Sequence, residues 1–393
     1  VSDTMQELFY RDPYAREFTA EVVSCTEGKK GFEVILTDTV FYPEGGGQPT
    51  DLGELGGVKV NFVKRINESI IHYTDQPLAV GNLATGRIDW ERRFDNMQNH
   101  TCEHIFSGLV HQKFGFENVG FHMNPEDITV DFSGEVPKEE LDKIEQEVND
   151  AIAADIELCV TFPSQQELAS MDYRSKKELS GLVRIVSVPG FDCCACCGTH
   201  VRRSGEIGIF KILESGKYRG GTRVRFAAGK RALRDYAWRL NEISKVSVLL
   251  SAKPHEISAA VEKVLNDGKT QEQLLAERTQ LWLKSVADRI EKPQDCVIIF
   301  ENGLSPFELK KFASILKERL VGIPCAVLSE VGENVFNYVL AYESEKFSEI
   351  SRELNKKLNG RGGGRDGVVQ GTYRVDRAVI ESAVRDVFKG LIK

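Results

Sequence analysis

His100 and His104 stand four residues apart in a segment, Glu91 to Gln112, whose apolar residues Phe94, Met97, Ile105, Phe106, Leu109 and Val110 recur at helical spacing. Residues at i and i+4 share one helical face, so both imidazoles can reach one ion. A pair of this kind is by itself a common coincidence. A second pair, Cys196 and His200, is separated by Cys197-Gly198-Thr199, a short turn that lets both side chains converge. One thiolate and three imidazoles make a tetrahedral donor set suited to Zn²⁺, and sulfur with imidazole argues against Mg²⁺ or Ca²⁺. Three of the chain's seven histidines fall in these two motifs. Cys193, Cys194 and Cys197 compete for the sulfur position. Adjacent thiols cannot all face one ion, and Cys196 is favoured. The expected cofactor is therefore Zn²⁺, held by His100, His104, Cys196 and His200.

Two further patterns carry chemistry. His100-Thr101-Cys102-Glu103-His104 matches H-x-x-E-H, a peptidase pattern in which the glutamate activates water. Four protein ligands would leave no open position for that reaction, and Glu103 is expected on a solvated helix face. The loop Phe41 to Asp51 reads FYPEGGGQPTD. Gly45, Gly46 and Gly47 allow backbone to approach a ligand closely, and Gln48 can both donate and accept hydrogen bonds. The same residues also suit a tight hairpin with no ligand contact.

These side chains need elements to hold them. Phe18 to Cys25, Gly31 to Leu36, Val58 to Val63, Ser69 to Tyr73 and Leu83 to Asp89 alternate apolar and polar residues, so residues 1–90 are expected to form a small β-barrel. The helix over Glu91 to Gln112 follows, and a second helix spans Pro137 to Ile156. Strands are expected at Leu158 to Phe162, Leu182 to Val188, Ile207 to Leu213 and Thr222 to Ala227, which makes residues 91–229 an α+β domain. Residues 230–292 are helical, in three segments, Arg231 to Leu250, His255 to Leu265 and Thr270 to Ile290, with Pro254 and Gly268 as breaks. They can pack as a hairpin or dimerise. Residues 293–393 alternate strand and helix. Strands fall at Cys296 to Phe300, Pro324 to Leu328 and Asn337 to Tyr342. Helices fall at Pro306 to Leu320, Glu345 to Leu358 and Arg374 to Phe388, and a glycine-rich loop runs from Gly360 to Arg365. The class is a multidomain α+β protein ending in an α/β domain.

With 393 residues, 41% hydrophobic and 28% charged, the composition is that of a folded chain of two or three domains. No stretch approaches the roughly 18 uninterrupted apolar residues a membrane span needs, and Val1 to Glu17 lacks the basic start and apolar core of a signal peptide. A membrane role is not expected, and nine cysteines without an export signal point to a reducing cytoplasm. The net charge of −8 conceals two basic tracts: 11 Lys/Arg against 3 Asp/Glu from Val201 to Arg239, and 10 against 5 from Ser351 to Lys393. Either can meet a polyanion. Arg202, Arg203, Lys217, Arg219, Arg223 and Arg225 form one candidate track. Arg361 and Arg365 form the other, although they equally suit a solvated loop or a dimer contact.

The motifs also carry a family resemblance. Trp90-Glu91-Arg92-Arg93, followed by Met97, His100-Thr101 and His104, resembles the W-x-R-R…M…H-T-x-x-H segment of the alanyl-tRNA synthetase editing domain. Cys196-Cys197-Gly198-Thr199-His200-Val201 with Gly205-Glu206-Ile207-Gly208 resembles its C-G-G-T-H-V…T-G-E-I-G segment. Phe41 to Gly53 resembles the F-Y-P-E-G-G-G-Q-P-x-D-x-G loop of the preceding barrel. Gly360 to Gly371, GRGGGRDGVVQG, resembles the glycine-rich motif of the DHHA1 domain that ends these synthetases. The four matches lie in the family's order. Cys197 departs from it by replacing a glycine, and Cys102-Glu103 by replacing small and apolar residues.

The resemblance implies a free-standing alanyl-tRNA editing protein of the long form, with a zinc editing domain and a DHHA1-like domain for tRNA binding or dimerisation. It implies hydrolysis of mischarged alanine tRNA carrying serine, with glycine as a second candidate substrate, in the cytoplasm. Gln48, His100 and His104 would then be catalytic, and Gly45, Gly46, Gly47, Gln48, Arg361 and Arg365 would bind substrate. A homodimer through the helical linker and C-terminal domain is one arrangement open to it. Nucleotide and ATP binding are expectations drawn from the synthetase likeness. A synthetase needs several hundred further residues for aminoacylation, so no charging of tRNA is expected, and the absence of an Asp-His-His motif argues against a phosphoesterase. Two other readings remain: a zinc-stabilised tRNA-binding protein without turnover, and the H-x-x-E-H metallopeptidase.

Overall fold

The computed structural model describes residues 7–29, 31–124, 127–175, 183–344, 347–365 and 367–391, with Ser348 described by its backbone alone. The first six residues, Leu182, Glu345 and Asp366, each within a span read above, lie outside the described residues. The chain divides into two units, Val1–Val246 and Ser247–Lys393.

In the first unit a short helix α1 (Leu8–Arg11) precedes six strands, β1 (Glu17–Gly28), β2 (Gly31–Leu36), β3 (Gly53–Leu55), β4 (Val58–Ile66), β5 (Ser69–Thr74) and β6 (Leu83–Ile88). They close into a barrel in the order β1-β2-β5-β4-β3-β6. The alternation explains the closure: Phe18, Ala20 and Val22 of β1 point into a core with Val34, Leu55, Val60, Val63 and Ile88, while Glu17, Thr19 and Glu21 face out. The segment between β2 and β3 leaves the barrel and carries the glycine-rich loop. Arg93 ties that loop to the next helix. Its Nε donates to Asp51 Oδ2 at 2.9 Å and Oδ1 at 3.1 Å, and both side chains are 0% exposed. Asp51 Oδ2 also accepts from Tyr42 N at 2.7 Å.

Helix α2 (Trp90–Phe114) starts at Asp89, whose side chain accepts from Arg92 N, and stops at Gly115, which adopts φ +68°. Sixteen of its residues are buried, polar ones among them, because structure covers it on several sides. Strands β7 (Asn118–Met123) and β8 (Ile128–Phe132), helix α3 (Lys138–Ala153), β9 (Cys159–Thr161), the short helix α4 (Gln165–Leu168), β10 (Ile185–Val188), β11 (Asp192–Ala195), β12 (Phe210–Tyr218) and β13 (Gly221–Ala228) complete the unit. They form one antiparallel sheet, β12-β13-β8-β7, and a smaller one, β11-β10-β9. The expected strand over Ile207 to Leu213 differs: Ile207 closes a single tight turn, Ser204–Ile207, and the strand begins at Phe210. Phe106 of α2 meets Phe132, Phe210 and Phe226 of the larger sheet at ring-centroid distances of 5.4, 5.2 and 5.9 Å, the centre of the largest core.

Helix α5 (Gly229–Leu250) runs across the division between the units, and α6 (Ile257–Asp288) belongs to the second. Gly268 does not break α6. A helical glycine costs about 1 kcal/mol relative to alanine, too little to interrupt a helix of 32 residues. Beyond it lie β14 (Val297–Phe300), α7 (Pro306–Arg319), β15 (Cys325–Gly332), β16 (Val335–Ala341), α8 (Phe347–Lys357), β17 (Arg361–Arg365), β18 (Val368–Tyr373) and α9 (Arg377–Lys389). The sheet runs β14-β15-β16-β18-β17, with only the β14–β15 pair parallel. Val327 and Val339 face α7 and the end of α6, while Leu328, Tyr338 and Leu340 face α8 and α9. The glycine-rich segment expected as a loop is the edge strand β17. A Cβ on Gly362 would stand 2.4 Å from both Gln370 O and the Tyr338 hydroxyl, so glycine is what lets this strand close on its neighbour. Among the described residues no helix is long and apolar enough to cross a membrane.

Candidate metal centre

Helix α2 presents His100 and His104 to one buried point, and the turn after β11 presents Cys196 and His200 to the same point. The three imidazoles are each 2–4% exposed. Each is held by its outer nitrogen: His100 Nδ1 by Gln48 Oε1 at 3.0 Å, His104 Nδ1 by Asp192 Oδ2 at 2.8 Å, and His200 Nδ1 by Thr101 Oγ1 at 3.2 Å. In the neutral, metal-binding form of the rings, the acceptors Gln48 and Asp192 place the proton on Nδ1 of His100 and His104, which leaves their Nε2 lone pairs facing inward. Cys196 Sγ lies 3.5 Å from His100 Nε2 and 3.4 Å from His200 Nε2, and all four donor atoms fall within 4.8 Å of one another. Tetrahedral Zn²⁺ with ordinary Zn–S and Zn–N bonds needs sulfur and nitrogen donors about 3.6 Å apart. The chemistry and spacing of the donors fit that ion, and the carboxylate, amide and hydroxyl behind the imidazoles are the supports metal-binding histidines ordinarily have.

The electrostatics separate the four neighbouring sulfurs. Burial opposes ionisation of Cys196, but His100, His104 and His200 outweigh it and hold the thiol well below its ordinary range. Burial pushes Cys194 up to about 11 and also raises Cys197. Cys193 accepts from Ser187 Oγ at 3.3 Å. Cys194 forms a second cluster with His104 and Asp192, but Arg174 Nε donates to Asp192 Oδ1 at 2.8 Å and supplies that carboxylate with its own cation. Burial works against ionisation of Asp192 too, yet His104 and Arg174 together keep it below the usual carboxylate range. His104 is its counterpart: burial lowers it, while Cys196 and Asp192 raise it well above the normal imidazole value.

Gln48 is 1% exposed and bonded at both ends of its amide. Its Nε2 donates to Thr199 Oγ1 at 2.8 Å, and its Oε1 accepts from Thr199 N and His100 Nδ1, each at 3.0 Å. Gly45 and Gln48 exchange backbone hydrogen bonds of 3.1 and 3.0 Å, so the glycines do form a tight turn, at the rim of the metal centre. Gly46 and Gly47 are exposed there, and Gly46 lies against Cys197. Glu103, expected on a solvated face, is 4% exposed; its carboxylate accepts from Ser107 Oγ at 2.5 Å and from Asn118. The cause is the packing around α2, which covers the side opposite the metal donors as well.

Arg361 and Arg365 belong to the second unit, on the exposed edge strand, where neither has an ion pair among the described residues. The other basic track is largely neutralised. Arg202 pairs with Asp12, Arg203 with Asp155, Lys217 with Glu135, Arg223 with Asp131 and Arg225 with Asp127, at 2.6–3.2 Å. The sequence pattern omits the supports Thr101, Thr199 and Asp192. One signal is visible in retrospect: both His100 and His200 have a threonine as chain neighbour; Thr101 bonds to His200 and Val201 N of the opposite segment, and Thr199 bonds to Gln48, which in turn holds His100.

Residues 183–225, which include Cys196 and His200, match the threonyl and alanyl tRNA synthetase second additional domain. The alanyl-tRNA editing protein Aarsd1 of Danio rerio is 35% identical over 65% of this chain and 66% of its own length. The Mus musculus protein of the same name is 34% identical over 67% and 69%. The matched stretch thus spans about two thirds of each relative. The alanine–tRNA ligase of Ignicoccus hospitalis is 32% identical over 69% of this chain but 31% of its own length. The solved C-Ala domain of Aquifex aeolicus alanyl-tRNA synthetase aligns with 26% of this chain at 21% identity and a TM-score of 0.23, a likeness too slight to argue from. With identities above 30% over about two thirds of these vertebrate proteins, the chain belongs to the family of alanyl-tRNA editing proteins.

Proposed function

We propose that this protein is a trans-editing hydrolase that cleaves the ester linking a wrong amino acid, serine or glycine, to alanine tRNA. The observation that carries the reading is the convergence of His100, His104, Cys196 and His200 beside the Gly45–Gln48 turn, in a chain of this family. The need for such a site is physical. A pocket for alanine cannot reject glycine strongly, because one methyl is worth only ~1–3 kcal/mol, and an added hydroxyl is also poorly excluded. Bound by these four residues, Zn²⁺ would supply Lewis-acid polarisation of an ester carbonyl or a fixed point for the amino group. The chain's own contribution is positional. Gln48 locks His100 to the Thr199–His200 segment, Asp192 locks His104, and the exposed backbone of Gly46 and Gly47 is free to meet the aminoacyl end. Free thiols at all nine cysteines suit a reducing cytoplasm.

Purified protein should release serine from Ser-tRNA(Ala) and leave Ala-tRNA(Ala) intact; no release, with tRNA bound, would instead support a zinc-stabilised binding protein. That second reading draws on one observation: four protein donors leave no ligand position open. Elemental analysis should find about one zinc per chain, lost in Cys196→Ala and kept in Cys193→Ala. We also read β14 to α9 as a DHHA1-like domain that grips tRNA through Arg361 and Arg365, and α6 as a contact for a second copy. Only Leu283 and Ala287 of α6 are buried, while Val264, Leu265, Leu274, Leu275 and Leu281 are exposed. Sedimentation of a Leu274→Glu/Leu275→Glu variant tests the dimer.

A further inference from the structure

Arg184 is a buried cation that none of the ion pairs among the described residues includes. It is 8% exposed, and among the described residues no carboxylate lies within 4.0 Å. Its Nε is buried and has no hydrogen-bond partner among the described residues. Burying a guanidinium on these terms is unfavourable, so what the side chain touches matters. Nη1 donates to Cys196 O at 2.9 Å and to Gly198 O at 2.8 Å, while the Arg184 carbonyl accepts from Cys196 N at 3.1 Å. One residue therefore holds the sulfur donor by both its backbone ends. Tyr10 covers the guanidinium, with its ring centroid 4.9 Å from Cζ, and its hydroxyl donates to Cys197 O at 2.7 Å. Each of the three successive carbonyls in the turn is thus fixed by a side chain from elsewhere. The turn has little room to drift: a Cβ on Gly198 would stand 2.1 Å from His100 Cε1.

We infer that Arg184, backed by Tyr10, is a positioning residue of the metal centre, setting Cys196 Sγ at bonding distance for an ion shared with the three imidazoles. The inference rests on the metal reading above. Its test is Co²⁺ titration of the metal-free full chain, following the thiolate-to-cobalt absorption, which reports the sulfur–metal bond directly. In Arg184→Met the Co²⁺ dissociation constant should rise about 10- to 100-fold, the loss typical when an outer support of a metal ligand is removed, with a weakened or shifted sulfur band. Tyr10→Phe keeps the ring and should lose only a few-fold. If Arg184→Met does not fold, Arg184→Lys, which keeps the charge without the planar fork, decides, with a smaller loss expected. Wild-type affinity and spectrum in the folded variant would overturn the inference. So would a lowered unfolding midpoint with an unchanged sulfur band at saturating Co²⁺, which is what a merely structural arginine gives. Absence of any sulfur–cobalt band in the wild type would instead refute the metal reading itself, and with it this one.

Discussion

Replacing Arg93 with methionine tests how the barrel and α2 are joined. The side chain is 0% exposed, and removing it leaves the equally buried Asp51 carboxylate with Tyr42 N as its remaining donor. The carbonyls of Pro13 and Val40 lose a donor as well. Breaking one side of a buried pair costs about 3–5 kcal/mol, or roughly a 10²- to 10⁴-fold drop in the folding constant. In a unit of this size about 2–4 °C is lost per kcal/mol, so the transition of the first unit should fall by roughly 6–20 °C. Trp90 lies three residues from Arg93, and the other two tryptophans, Trp238 and Trp282, are 61% and 43% exposed. Converting those two to phenylalanine leaves a fluorophore that reports this unit alone. Adding Asp51→Asn to Arg93→Met should recover about 1–3 kcal/mol, because the stranded charge is gone. A loss below about 1 kcal/mol in the single variant, or strict additivity in the pair, would show that the buried ion pair is not the joint inferred here.

Three further outcomes are expected. Asp192→Asn should lower zinc affinity about 10- to 100-fold in chelator competition, since His104 loses its carboxylate support; unchanged affinity would mean the imidazole is oriented by other means. His72, fully buried between Thr39 Oγ1 and Val34 O, is pushed by burial from 6.5 down to about 4. The unfolded chain therefore binds a proton before the folded chain does, and stability complete above pH 6.5 should fall between pH 6.5 and 4, by about 3 kcal/mol from this group; a His72→Gln variant with the same pH dependence of its urea midpoint would contradict this. Arg361→Ala or Arg365→Ala should raise the Michaelis constant more than it lowers turnover and should reduce the salt slope of tRNA binding by up to about one unit; an unchanged slope in both would remove the edge strand from the RNA interface.

The parts legible in sequence are those whose signal is local. Phe18, Ala20 and Val22 alternate cleanly, and β1 was readable; the three-residue β3 offers no period, and the irregular pairing of β7 between Asn118 and Gly120 breaks its alternation. The helix around His100 was readable, but not that Glu103 would be covered, because burial of its far side depends on Asn118 and the sheet behind it. Likewise the four candidate donors stand in two short motifs, whereas Gln48 and Thr199, which hold them together, are 151 residues apart. The basic tract from Val201 reads as unpaired charge only while its acids, Asp12, Asp127, Asp131, Glu135 and Asp155, are spread across the preceding sequence.

That 151-residue link between Gln48 and Thr199 has a consequence for how the protein is made. A contact so distant in sequence closes late, after the loop entropy of everything between has been overcome. During synthesis the barrel emerges first and can fold around its own core, since domains fold as units from the N-terminus. His100 and His104 follow, and they can offer only half a donor set until Cys196 and His200 leave the ribosome. For some hundred residues of elongation the nascent chain therefore exposes two imidazoles and no complete cage. On the zinc reading proposed above, capture of the ion would be a final event, coincident with the docking of the 196–200 turn onto a barrel already formed, and a chain that failed to dock that turn would also carry no metal.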